Sequence, residues 1–240
     1  MEWHFEELEE CESTFNEARR RPAWWVVSAR RQAHGRGRFN RTWYGEEGGL
    51  WATYNVPIDP KAELPWGLLP LVAGAAIMRA LSAFRIEGLR LRWPNDVLVG
   101  RAKLAGILVE RPSECIGAIG IGINVFNDIE GLVGRVQDPP ARLADVVRTP
   151  CPAVAELRLR LAEAIGCVYE GFVQRGYAAV EAELAQAWGG VREVEIETDS
   201  GSIFGAFTGI VKDGSPVLRC GDGSLRVVPA IEVNRMKERS

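Results

Sequence analysis

The spacing of apolar and polar positions changes several times along the chain, and each change predicts a different kind of element. Short runs rich in β-branched and aromatic residues predict strands at 23–29 and 50–58. The segment 64–84 is apolar on almost every side, which predicts a helix buried inside the protein. Helical spacing dominates 152–188, where a break near Gly176 divides the pattern into two helices.

Residues 89–126 contain four strand-like stretches, whose sequences are LRLRWP, DVLVG, KLAGILVER and CIGAIGIGINVF. The breakers between them are Asn95-Asp96, Gly100-Arg101 and Pro112-Ser113. Because the connections are short, these stretches predict the middle of a sheet. Nearer the start of the chain, the pattern predicts a strand followed by a helix of about two turns, which Ser13 or Thr14 could cap.

The pattern changes again at Gly189-Gly190. Beyond this point, short β-like runs alternate with closely spaced turns, which is typical of a small β-barrel or sandwich. We therefore predict an α+β protein with two parts. A mixed sheet packed with helices would occupy 1–188, and a small β domain would occupy 189–240.

Composition narrows the class of protein further. The 240 residues are 47% hydrophobic and 25% charged, which is typical of a soluble globular chain. The five cysteines show no CxxC spacing, which argues against a disulfide framework or a zinc site. The start of the chain does not resemble a signal peptide, and we expect no apolar run close to the roughly 18 residues of a membrane span. A cytoplasmic protein is the prediction.

The net charge of -3 argues against general affinity for nucleic acids, yet the segment RQAHGRGRFNRTW concentrates positive charge. Its arginines are Arg31, Arg36, Arg38 and Arg41. The segment lies between two predicted strands, so we expect 31–49 to be a loop. Taken alone, it could be a solvated connection. Together with Lys103 and the Asn95-Asp96 turn, it could bring two anions together, such as a carboxylate and the α-phosphate of ATP.

The common catalytic motifs do not fit this chain. There is no GxxxxGK[ST], and GRGRFN has Asn40 where a third glycine would complete GxGxxG. Only His4 and His34 are available as histidines, and GxSxG does not occur. A P-loop, a Rossmann fingerprint and a Ser-His-Asp triad are therefore all unsupported.

Three motifs together resemble those of the biotin protein ligases: GRGRFNRTW, RWPNDVLVGRAKLAGILVE and GIGIN at 120–124. The resemblance implies a biotin/lipoate ligase-like catalytic domain over 1–188 and an SH3-like β-barrel over 189–240. It also implies an ATP-dependent ligase that attaches biotin to a lysine of a biotin carboxyl carrier protein through biotinyl-5'-AMP. ATP with Mg²⁺ would be the co-substrate, without a protein metal site. We expect a monomer or homodimer that binds neither nucleic acid nor membrane and lacks the helix-turn-helix of many bacterial relatives.

The resemblance also assigns residues by position. On the biotin side it implies Ser13, Thr14, Gln32, Gly35, Arg36, Gly37, Arg38, Trp43, Lys103 and Gly120. On the ATP side it implies Arg38, Arg41, Asn95, Asp96, Lys103 and Asn124. The catalytic set would be Lys103, Arg36, Arg38 and Asp96. Lys103 would stabilise charge, and Asp96 would orient or deprotonate the carrier lysine, whose free pKa is about 10.4.

Two departures from the family pattern keep alternatives open. Phe15 replaces the asparagine that usually follows Ser-Thr, which puts one polar contact in doubt. Asn40 replaces a glycine of the family's arginine-rich motif, which reads GRGRFNRTW here. This change is milder, because Asn tolerates a left-handed backbone. The alternatives are a lipoate or octanoate transferase on the related fold and a biotin-binding homologue that has lost ligation. A nucleic-acid-binding GRGRFNR segment is disfavoured by the acidic chain.

Overall fold

The computed structural model describes residues 2–62 and 65–239, and its main feature is an eight-stranded mixed sheet. The strands are β1 (His4–Cys11), β2 (Trp25–Arg36), β3 (Thr42–Gly45), β4 (Leu50–Pro57), β5 (Leu89–Arg92), β6 (Asp96–Val99), β7 (Ala102–Ser113) and β8 (Ile116–Ile123). Their order is β1-β2-β4-β8-β7-β6-β5, with β3 paired to β2. Among these described strands, only β1 and β2 pair in parallel. The four stretches predicted over 89–126 are confirmed as the adjacent strands β5 to β8.

Within the described residues, five α-helices accompany this sheet. They are α1 (Thr14–Ala18), α2 (Leu69–Leu81), α3 (Leu143–Val146), α4 (Val154–Arg175) and α5 (Glu181–Ala187). The predicted break near Gly176 is confirmed, because α4 ends there with the glycine at a positive φ of 63°. The prediction of a two-turn first helix is wrong: α1 has five residues. Ser13 stands at its N-cap position in extended backbone, but its side chain makes no capping hydrogen bond.

The two faces of the sheet have different roles. Ile119, Ile121 and Ile123 of β8 are buried in the hydrophobic core with α2 and α4. Since side chains alternate along a strand, Gly120 and Gly122 face the opposite side. Helices therefore cover one face, while the other face remains available for a cavity.

The prediction that no apolar run approaches membrane-span length is wrong. Trp66–Phe84, which contains α2, is long and apolar enough by length and composition, with a mean hydropathy of 1.7. However, 67% of the window is buried inside the protein. The described part of the predicted 64–84 helix is thus a core helix, which packs against the sheet and α4.

A second, antiparallel sheet follows α5. Its strands are β9 (Arg192–Thr198), β10 (Gly201–Ile210), β11 (Pro216–Arg219), β12 (Leu225–Val227) and β13 (Arg235–Glu238), in the order β12-β11-β10-β9-β13. This five-stranded unit fits the predicted SH3-like part, so the α+β fold is confirmed. The predicted division at 188/189 falls between α5 and β9 and stays a prediction.

The second sheet packs firmly against the first. Trp188 meets Phe207 edge to face with 5.3 Å between ring centroids. Trp93 Nε1 donates to the carbonyl of Gly214 at 2.9 Å. Buried residues of the second sheet, such as Ile196, belong to the same hydrophobic cluster as the main core. The final strand, β13, is thereby held beside the main sheet.

The arginine segment is mostly strand, so the prediction of a loop over 31–49 is wrong for much of its length. β2 continues through Arg36, and β3 begins at Thr42. The extension is stable because β2 pairs with β1 as far as Gln32 and with β3 beyond it. Only the short turn 37–41 separates the two strands. The arginines are therefore presented on a hairpin.

Candidate active site

A cavity of about 540 Å³ lies on the glycine-bearing face of the main sheet. Its walls come from α1, the β2–β3 hairpin, the segment 132–140 and β13. The sequence-predicted residues that line it are Ser13, Thr14, Gln32, Arg36, Gly37, Arg38, Arg41, Trp43, Asn95, Asp96, Lys103, Gly120 and Asn124. Gly35 does not line the cavity. It pairs with Trp43 between β2 and β3, where a Cβ would lie 2.4 Å from the Trp43 carbonyl oxygen.

The cavity floor is formed by glycines against which aromatic rings pack. A Cβ at Gly120 would lie 2.3 Å from the ring of Phe15. Cβ atoms at Gly106 and Gly122 would lie 2.7 Å and 2.6 Å from the indole of Trp43. Side chains at these positions would displace the rings. The site therefore has an apolar floor that depends on the absence of side chains.

Neutral polar groups gather beside Phe15. The Thr14 backbone N–H donates to Gln32 Oε1 at 2.8 Å, and the Thr14 hydroxyl lies 2.9 Å from that of Thr53. Ser13 Oγ is buried and has no hydrogen-bond partner among the described residues. A buried polar atom without a partner is costly, and a ligand can supply the missing bond. This end suits a neutral ligand group that donates and accepts hydrogen bonds.

The cavity lining as a whole is strongly cationic. Its basic side chains are Arg36, Arg38, Arg41, Arg92, Lys103, Arg135 and Arg235, and its acidic ones are Asp96 and Asp138. The lining thus carries a net charge of +5 in a chain whose formal net charge is -3. This excess of positive charge raises the local concentration of anions and stabilises them once they are bound. The arrangement is suited to a ligand with several negative charges.

An ion-pair network organises the middle of the cavity. Lys103 Nζ lies 2.5 Å from Asp96 Oδ1, and Arg92 Nη2 donates to Asp96 Oδ2 at 2.6 Å. Arg92 also donates to both oxygens of Asp138, at 2.9 Å and 2.6 Å. Both oxygens of Asp96 are therefore in contact with cations. This arrangement fixes the side chain of Lys103 at the edge of the floor.

Burial and charge oppose one another in this network. Burial alone would raise the pKa of Asp138, but hydrogen bonds and charge from Arg92, with smaller contributions from Lys103 and Arg235, outweigh it and lower the pKa. Burial alone would lower the pKa of Arg92, but the two carboxylates outweigh it and raise the pKa. Both groups are therefore held in their charged forms.

The hairpin turn contributes two arginines around an exposed aromatic ring. The guanidinium of Arg38 lies 4.9 Å from the ring centroid of Phe39, and that of Arg41 lies 5.9 Å from it. The left-handed backbone conformation falls on Phe39, with φ 56°, rather than on the position of the glycine that Asn40 replaces. Burial lowers the pKa of Arg38, and the nearby charge of Arg41 lowers it further while Asp96 opposes the change.

Two asparagines line the cavity while fixing its walls. Asn124 Nδ2 donates to the Ala141 carbonyl at 3.0 Å, and Asn124 Oδ1 accepts from Asn127 at 3.1 Å. Asn95 Nδ2 donates to the Ile107 carbonyl at 2.8 Å. The side chain of Asn124 therefore anchors Ala141, which directly follows the segment 132–140, at the end of β8. The side chain of Asn95 fixes the turn between β5 and β6.

Sequence reasoning missed several residues of the site. Arg92 directly precedes WPND, and its place within the motif was the only available signal. Arg135 and Asp138 lie in a segment without a recognisable motif, and Arg235 lies in the second sheet. Their proximity arises from the tertiary fold, which no local pattern records.

Comparisons with known proteins agree with this geometry. Residues 12–125 match the Biotin/lipoate A/B protein ligase family. A biotin–[acetyl-CoA-carboxylase] ligase from Paracoccus denitrificans is 31% identical over 232 residues, which cover 87% of this chain and 89% of that protein. A bifunctional ligase/repressor BirA from Bacillus spizizenii is 28% identical over 218 residues. That match covers 85% of this chain and 64% of the relative's length.

A solved structure shares the whole fold. The biotin protein ligase from Aquifex aeolicus, in complex with biotin and ATP, superposes with a TM-score of 0.84 at 25% identity. The superposition covers 98% of this chain and 99% of that one. It therefore includes the main sheet and the second sheet, in the same relative arrangement.

Proposed function

This chain belongs to the biotin protein ligases of the Biotin/lipoate A/B protein ligase family, and we propose on that premise that it attaches biotin to a carrier lysine. The observation that carries the proposal is the mixed lining of the cavity. Neutral polar groups, an apolar floor and seven basic side chains line a single space of about 540 Å³. Biotin has a neutral ureido ring, an apolar body and a carboxylate, which these three kinds of lining match, and ATP adds the further negative charge.

In the first step, an oxygen of the biotin carboxylate attacks the α-phosphorus of MgATP. The new bond gives biotinyl-5'-AMP, and the bond to the β-phosphate breaks to release pyrophosphate. Both reactants are anions, so Arg36, Arg38 and Lys103 offset their repulsion and follow the charge that develops on the phosphoryl oxygens. Ser13, Thr14 and Gln32 would hold the ureido group. Gly37 and Arg41 belong to the turn that covers the product from water.

In the second step, the amine of a carrier lysine attacks the acyl carbon of the adenylate, and AMP leaves. The amine must first lose a proton, which passes to solvent. Because both oxygens of Asp96 contact cations, we assign Asp96 chiefly to orienting Lys103. A direct role as base requires the Lys103 contact to open. Asn95 and Asn124 would support the nucleotide from the adjoining walls.

Mg²⁺ belongs to this scheme as part of the nucleotide substrate. Among residues 2–62 and 65–239, no group of three His, Cys, Asp or Glu side chains could hold a metal ion. The carboxylates of Asp96 and Asp138 are already engaged by basic side chains. Mg²⁺ commonly binds through phosphates and water rather than a protein cage, so MgATP is the fitting form.

The wider setting is proposed on the same basis. Residues 1–188 would form the catalytic domain, and 189–240 would complete the nucleotide end through Asn234, Arg235 and Met236, which line the cavity. The partner would be a biotin carboxyl carrier protein in the cytoplasm. Nucleic acid and membrane have no part in the scheme, and the enzyme would act as a monomer or homodimer.

The decisive experiment is the intact mass of a biotin carboxyl carrier domain after incubation with this protein, biotin and MgATP. A biotin-sized mass gain that requires ATP is the expected result. A parallel reaction with lipoate tests the related transferase, and a gain only there would overturn the choice of substrate. Biotin binding without any mass gain on a competent carrier would instead identify a non-catalytic binding protein.

A further inference from the structure

Arg36 is held from outside the cavity by a carboxylate that does not itself line the site. Arg36 ends β2, and its Nη2 lies 3.2 Å from Oε1 and 3.5 Å from Oε2 of Glu110 on β7. On another side, the Arg36 guanidinium lies 5.8 Å from the ring centroid of Phe15. The guanidinium is thus bounded by an anion and an aromatic face, with the cavity beyond.

Glu110 also serves a second arginine. Arg19, which directly follows α1, donates from Nη2 to Glu110 Oε2 at 2.9 Å. One negative charge is therefore shared between two guanidinium groups. The three side chains together therefore keep a net positive charge. Arg36 also retains donors that Glu110 does not use, because an arginine has five N–H groups. It can be held by Glu110 and still bind an anion in the cavity.

We propose that Glu110 is a positioning residue that fixes the guanidinium of Arg36 for the substrate carboxylate. This inference rests on the proposed function. An unrestrained arginine adopts many rotamers, and ordering it when the ligand binds weakens affinity. Glu110 and the ring of Phe15 impose that order beforehand. Phe15 thereby takes part in the site even though its side chain has no polar atoms.

The test is the KM for biotin and the Kd for biotin without ATP in Glu110→Gln. Because one long side chain loses its restraint, both constants should rise by about five- to tenfold. The KM for ATP should stay within about twofold, whereas kcat should also fall, because Arg36 follows the charge that develops on the phosphoryl oxygens. A structural defect would instead lower the active fraction without this selective change in biotin affinity.

Two further variants separate positioning from charge and from folding. Arg19→Gln removes the other partner of Glu110 and leaves the Arg36 contact, so its KM for biotin should stay within about twofold. Glu110→Asp keeps the charge but is one methylene shorter, so its carboxylate should not reach Arg36. Its Kd for biotin should rise as that of Glu110→Gln does. An unchanged biotin Kd in Glu110→Gln overturns this inference alone. Failure of the unsubstituted protein to bind biotin overturns the proposed function and this inference with it.

Discussion

The buried ion pair between Arg90 and Glu238 connects β5 of the main sheet to β13 of the second sheet, and removing it should destabilise the protein. Both terminal nitrogens of Arg90 lie 2.5 Å from the Glu238 carboxylate oxygens. The side chains are only 5% and 19% exposed. Glu238→Ala would leave the Arg90 charge buried without its counter-ion, and water could reach it only poorly.

The expected loss in the free energy of unfolding depends on the hydrogen bonds that Arg90 keeps after the substitution. Removing one partner of a buried ion pair typically costs about 3–5 kcal/mol. Arg90 would keep two hydrogen bonds to the carbonyl of Gly100, at 3.2 Å and 2.8 Å. We therefore expect the low end, a loss of about 3 kcal/mol in the free energy of unfolding. For a chain of this size, that loss lowers Tm by about 6–12 °C.

Urea unfolding followed by tryptophan fluorescence measures this loss directly. The matched control is Glu87→Ala, because Glu87 pairs with Arg148 where both side chains are largely exposed, at 80% and 67%. That substitution should cost less than about 1 kcal/mol. Replacing both buried partners, with Arg90→Met and Glu238→Leu together, should restore most of the stability. A loss in Glu238→Ala no larger than that in Glu87→Ala would refute the reasoning.

Three other changes test the site. Lys103→Ala should reduce adenylate formation at least about a hundredfold, measured by pyrophosphate release, with an unchanged circular dichroism spectrum; near-normal turnover would remove Lys103 from the mechanism. Asp138→Asn should be less stable than the unsubstituted protein at neutral pH, because the pKa of Asp138 is lowered by folding. That difference should decline as the pH falls below about 4 and through the lowered folded pKa, and a difference that grows on acidification would contradict this assignment. Gly122→Ala should weaken biotin binding at least about tenfold, because its Cβ would lie 2.6 Å from the Trp43 indole, whereas Gly221→Ala, which meets no atom within 4 Å, should not.

The sequence predicted the elements that depend on local patterning. The strands over 89–126 and the break near Gly176 follow from β-branched runs, helical spacing and glycine, which act within a few residues. The hairpin of β2 and β3 was missed because its strands carry arginines and glycines rather than an apolar pattern. Pairing with neighbouring strands overrides that local preference.

The same distinction applies to the candidate site. Residues within motifs, such as Lys103 and Trp43, were predicted to bind biotin, and the fold places both in the lining of the cavity. Gly35 was assigned to biotin, but its structural position is in the β2–β3 pairing. Asp138 and Arg235 reach the cavity only because distant segments fold against the main sheet. Nothing in the local sequence distinguishes these two residues, and only the tertiary fold brings them to the site.

The glycine floor cannot accept new side chains, whereas other parts of the site can. Gly106, Gly120 and Gly122 present backbone to the ligand side, so no exchange of side chains can reshape that surface without displacing Phe15 or Trp43. The walls differ from the floor. They include the turn of the β2–β3 hairpin and the segment 132–140, and connections of this kind tolerate new side chains. A change of substrate would therefore arise from substitutions in the walls, while the floor would keep its shape.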